Sequence, residues 1–149
     1  MKKLLSLALL LCCLAPAALA GPAATAEPAP AERLEEYGLL LLGEGPYTEV
    51  ETATLQALLG YADQAENLQL ETDLAAPGGG NVDLSAIRKL ETRVESLEDE
   101  LDTYEDALKA TLRAGDLSRE AYRAFDEELE RLDDLLDDLE DFLEIYWDD

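Results

Sequence analysis

Histidine is missing from this chain of 149 residues, and its two cysteines, Cys12 and Cys13, sit side by side near the start. Without imidazole there is no serine–histidine relay, no imidazole general base and no histidine-ligated zinc. Basic residues are scarce: 11 Lys and Arg stand against 35 Asp and Glu, for a formal net charge of −24. A surface of that sign repels nucleic acid and anionic lipid, so neither is expected as a partner. Long apolar runs are also lacking. The best one, Leu4 to Leu14, is shorter than the roughly 18–20 residues a transmembrane helix requires, so no membrane-spanning segment is expected.

That run belongs to MKKLLSLALLLCCLAPAALA, in which two lysines precede the apolar stretch, Pro16 breaks it, and Ala18-Leu19-Ala20 stand before Gly21. This is the pattern of a signal peptide with an A-x-A cleavage site over residues 1–20. Cleavage removes both cysteines, so no disulfide framework or thiol nucleophile is expected in what remains. Neither cysteine follows a small residue, as an acylated cysteine would. The expected destination is the periplasm or cell envelope, and loss of Lys2 and Lys3 makes the exported part more acidic still.

What is present is helical punctuation. Residues 21–31, rich in Ala and Pro, read as a tether. A short helical segment follows over 32–71. Its first helix spans about 32–42 and ends at Gly43, with Gly38 as an unfavourable interior residue. Its second, about 49–70, opens on Thr48-Glu49-Val50-Glu51, a capping box, and carries Val50, Leu55, Leu58, Leu59, Ala62 and Ala65 at helical spacing. Residues 72–82 hold Pro77 and three consecutive glycines and form the expected boundary, across which the halves should move independently.

From residue 83 to 149 the sequence reads as an acidic coiled coil. Asp83 suits an N-cap, with Val82 and Ile87 placed for a hydrophobic staple. The a positions run Ile87, Val94, Leu101, Leu108, Gly115, Tyr122, Leu129, Leu136 and Leu143. The d positions run Leu90, Leu97, Tyr104, Thr111, Ser118, Phe125, Leu132, Leu139 and Tyr146. All are apolar except Thr111, Gly115 and Ser118, which are consecutive. Gly115 suits a left-handed helix end, Arg113 complements the last carbonyls, and Ser118 caps a new helix. The expected fold is all-α: two antiparallel long coiled-coil helices, about 84–113 and 119–147, with a short N-terminal helix pair. Unbroken heptad phase supports the alternative, one long helix kinked at Gly115 in a parallel oligomer. Either arrangement sets acid near acid, so charge pairing does not choose between them.

Leu129, Leu132, Leu135, Leu136, Leu139, Phe142, Leu143, Tyr146 and Trp147 form a stripe wider than a two-strand seam covers. Two readings stand open: packing against the helices of residues 32–70, or an interaction face for a protein partner or self-association. The acids Asp133, Asp134, Asp137, Asp138 and Asp141 recur at i, i+3 and i+4 and repel one another. They read as a solvated face with weak condensation of divalent cations, whose helicity mild acid or calcium should raise. No calcium loop is present. Carboxylate pairs of the glycosidase kind need a sugar-holding cleft that such helices do not build, so no enzyme activity, catalytic residue, metal site or cofactor is expected.

Residues 34–60, with Tyr37-Gly38, a glycine-containing loop and Thr48-Glu49-Val50-Glu51, resemble a degenerate S-layer homology repeat, a wall-binding module that in some envelope proteins precedes a coiled coil. The family's usual Thr-Arg-Ala-Glu keeps only Thr48 and Glu51 here. Glu49 stands where an arginine would contact an acidic wall polymer, so the resemblance implies an envelope location but no binding residues. The expected function is that of an exported, non-catalytic coiled-coil protein acting as spacer, adaptor or subunit, with a periplasmic holdase-type chaperone as the alternative.

Overall fold

The computed structural model describes residues 30–75 and 83–145. The leader, Cys12 and Cys13, nearly all of the tether, Val82, the Pro77 and glycine stretch, Tyr146 and Trp147 lie outside the described residues. Among the described residues four helices follow in order: α1 (Pro30–Leu42), α2 (Glu49–Ala75), α3 (Leu84–Ala114) and α4 (Arg119–Glu144). The fold is all-α, and among the described residues no helix is long and apolar enough to cross a membrane.

The reversal expected at Gly115 is formed. Gly115 adopts φ 84°, and its N–H donates to the Leu112 carbonyl while that of Asp116 donates to Thr111. These two bonds close the helix end in a left-handed cap that glycine adopts without a Cβ penalty. Leu117 is buried at the corner, and Ser118 Oγ accepts from the Ala121 N–H to start α4. Two of the three polar heptad positions, Gly115 and Ser118, thus form the turn, and Thr111, in the last turn of α3, supplies a carbonyl that closes it. Carboxylates of Glu98 on α3 lie beside those of Asp137 and Glu140 on α4, which fixes the two helices as antiparallel. The parallel rod is excluded for this chain's own fold.

The N-terminal pair is less short than its sequence suggests. α1 begins at Pro30, two residues early, where proline's missing N–H costs nothing in a first turn. α2 continues to Ala75 through Thr72, Asp73 and Leu74, which had read as linker. The capping box forms as expected: Thr48 N–H donates to Glu51 Oε2 at 2.8 Å, and Glu51 N–H donates to Thr48 Oγ1 at 3.1 Å. Asp83 Oδ1 likewise accepts from Ser85 and Ala86.

α2 runs antiparallel to α3, since Arg93 pairs with Glu71 and the Tyr61 and Tyr104 rings meet edge-on at 5.5 Å. α2, α3 and α4 pack mutually as a three-helix bundle, and α1 lies against α2 and α4. One core serves both sides of the 76–82 stretch: Leu55, Leu58, Ala65 and Leu68 join Ile87, Val94, Leu101, Phe125, Leu132 and Leu136. α3, at 31 residues, sets a long dimension of ~46 Å.

Candidate functional site

Three surfaces invite a functional reading: the leucine stripe of α4, the clasp that holds α1, and the acidic edge between α3 and α4. The stripe meets its occupants inside the chain. Leu129, Leu132, Leu136, Leu139 and Leu143 are buried in the shared core, and Leu135 is partly buried against it. Phe142 is also partly buried. The stripe is wide because α4 contacts α3 on one side and α2 with α1 on the other. These leucines are therefore not a free docking face. Tyr146 and Trp147 lie outside the described residues.

The helix α1 is fixed by a polar cluster that sequence reading missed. Tyr37 donates its hydroxyl to Glu128 Oε1 at 2.8 Å, and Arg131 donates to both Glu128 oxygens at 2.9 and 2.5 Å. Glu128 is buried, and both oxygens are satisfied, as a buried carboxylate requires. Burial, followed by the Glu128 charge, pushes the Tyr37 phenol far above its ordinary range. Arg33 pairs with Asp63 across α1 and α2 at 2.5 Å, on a more exposed flank. Beside them Gly38 allows the Tyr47 ring to cross the helix, and the Tyr47 hydroxyl donates to the Gly43 carbonyl at 2.6 Å.

The acidic edge follows from the heptad register. In an antiparallel pair the e positions of one helix face those of the other, and here they include Glu98 and Glu105 on α3 and Asp126, Asp133 and Glu140 on α4. Glu98, Asp137 and Glu140 each bring a carboxylate oxygen within 4.8 Å of the others. Glu98 Oε1 is buried and accepts no hydrogen bond. Desolvation first, and then the charges of Glu140, Asp137 and Asp133, raise the Glu98 carboxyl above its usual range. Asp133 and Glu140 are raised in the same direction by desolvation and by neighbouring carboxylates. The other acids of α4 singled out in the sequence, Asp134, Asp138 and Asp141, point to solvent.

These three carboxylates are close enough to share an ion, yet three single oxygens are half of what calcium takes. The recess beside them, formed by Leu101, Asp102, Glu105, Leu129, Glu130 and Asp133, measures about 100 Å³, too small for a sugar ring. A larger groove of about 330 Å³ lies between α2 and α3, lined by polar side chains including Gln64, Asn67, Ser96 and Glu100. No protein-family model, no curated protein and no solved structure matches the chain.

Proposed function

We propose that the protein is an exported, non-catalytic helical protein of the bacterial cell envelope that works by contact, as a spacer, adaptor or subunit. The observation that carries this reading is where the apolar seams go. The heptad leucines of α3 and α4 are consumed within one bundle, so the molecule presents partners with an acidic body ~46 Å long rather than a sticky strand. The leader pattern of residues 1–20 supports export. The resemblance of residues 34–60 to an S-layer homology repeat supports an envelope address, and that stretch forms α1, its loop and the first half of α2. Fusion of residues 1–20 to a reporter active only outside the cytoplasm tests export. A photo-cross-linker at exposed positions such as Leu39 and Leu40 tests contact. A reporter silent outside the cytoplasm, or cross-links to nothing in the envelope, would overturn the reading.

A second reading, a periplasmic holdase, is favoured by one feature. Leu70 and Leu74 near the end of α2, Leu84 at the start of α3 and Ile145 after α4 are all exposed, Leu74 at 86%, and the topology brings them to one pole. A holdase would suppress aggregation of a denatured test protein and lose that ability in the Leu70→Ser/Leu74→Ser variant.

A further inference from the structure

We propose that Glu98, Asp137 and Glu140 form a proton-operated clasp, in which one proton taken from solvent turns a repulsive contact between α3 and α4 into a hydrogen bond. The geometry brings the two halves of such a bond near each other, a small side-chain shift short of bonding distance. Glu98 Oε1 is buried in the contact and has no hydrogen-bond partner, and the Asp137 and Glu140 carboxylates of the facing helix stand within 4.8 Å. As an ion, Glu98 offers only acceptors to a site made of acceptors. As an acid it donates one O–H to a carboxylate, and charge-assisted bonds of that kind are short and strong.

The groups around Glu98 favour the proton. Across the seam α4 presents Glu140, Asp137 and Asp133, and on its own helix Glu95 lies one turn back. Asp102 and Glu105 of α3 face Asp133 further along the same edge. α2 packs on α3 as well, but its charged contact there, Glu71 with Arg93, falls at the g position, away from the e position of Glu98. A carboxyl held above its unfolded value contributes stability that is complete below that value, about 4.3, and is lost as pH rises through the folded value. Glu71 works oppositely: its hydrogen bond from Arg93 lowers its pKa, so its contribution fades on acidification. The clasp therefore gains strength as pH falls from the folded value of Glu98 toward the ordinary glutamate value, above which the Glu71 pair is still intact. It does not depend on the functional reading above.

Thermal unfolding of the intact protein tests the clasp. Lowering pH from about 7.5 toward the ordinary glutamate value of about 4.3 should raise Tm by a few degrees. Glu98→Gln, whose amide mimics the protonated acid, should raise Tm at neutral pH and flatten the pH response. Asp138→Asn, an exposed acid outside the cluster, should leave that response intact. In the wild-type protein the Glu98 carboxyl carbon, followed by NMR, should titrate above the ordinary glutamate value of about 4.3. Equal pH responses in Glu98→Gln and Asp138→Asn would overturn the clasp. So would a Glu98 that titrates at or below the ordinary glutamate value of about 4.3, a readout that stands even if the variant fails to fold.

Discussion

Gly38 and Gly60 look alike in the sequence, each a glycine inside a helix, and the structure gives them opposite meanings. A Cβ on Gly38 would meet Tyr47 Cε2 at 2.7 Å, Tyr47 Cζ at 2.9 Å and Leu55 Cδ1 at 3.0 Å, whereas one on Gly60 would meet nothing within 4 Å. Gly38→Ala should destabilise the protein by about 1–3 kcal/mol through overpacking. Gly60→Ala should stabilise it by about 0.5–1 kcal/mol through helix propensity, both read by urea denaturation. Periodicity alone marks Gly38 as a weakness in α1, because the ring that uses the space belongs to a residue in the following loop. Glu128 was hidden for a similar reason. It occupies a charged g position, and its partner Tyr37 is 91 residues away in sequence. Tyr37→Phe should cost about 0.5–1.5 kcal/mol, the net worth of one hydrogen bond. Glu128→Ala should cost about 1–3 kcal/mol, because Tyr37 and Arg131 are left without their acceptor. The order of the two losses in denaturant melts is the check.

Among the elements, those bounded by local chemistry were the most legible. Asp83, Gly115 and Ser118 each satisfy helix-end groups through their own side chain or backbone, so a few adjacent residues carry the information. Ser118→Ala should cost about 1 kcal/mol as a lost N-cap. Gly115→Ala should cost about 1–2 kcal/mol, because φ 84° places a Cβ against the following carbonyl. Equilibrium denaturation of both variants, with helical circular dichroism unchanged at low denaturant, tests the assignment. The end of α2 was not legible. Thr72 and Asp73 are weak helix formers next to Pro77 and three glycines, yet Thr72 is 1% exposed. Packing against the hairpin decides there, and packing leaves no mark in a local window. The wide stripe of α4 was legible as a surplus of apolar residues, but its occupant depended on α2 being long enough to lie along it. The acidic edge was legible as acid near acid, since the heptad register alone pairs e with e in a hairpin. The buried, partnerless oxygen of Glu98 was not, because it depends on side-chain placement.

Taken whole, the molecule completes its seams within one chain, and that sets its response to dilution and to salt. Its unfolding midpoint should be unchanged over about a hundredfold range of protein concentration, whereas a parallel rod would lose stability on dilution by mass action. With a net charge of −24, repulsion between like charges outweighs the few exposed ion pairs. Raising salt from about 0.01 M to about 1 M, which shortens the Debye length from about 30 Å to about 3 Å, should therefore raise Tm. A drop would show that the pairs Arg33–Asp63 and Lys109–Glu105 dominate instead. The hairpin corner adds a practical property. The side chain of Asp116 is exposed, its N–H and that of Gly115 are held by the end of α3, and Leu117 and Ser118 anchor the start of α4. The backbone can be spliced open between Asp116 and Leu117, which keeps both bonds of the cap, to receive a tag or a guest loop, displayed at the pole opposite Ile145 with the three long helices still holding one another.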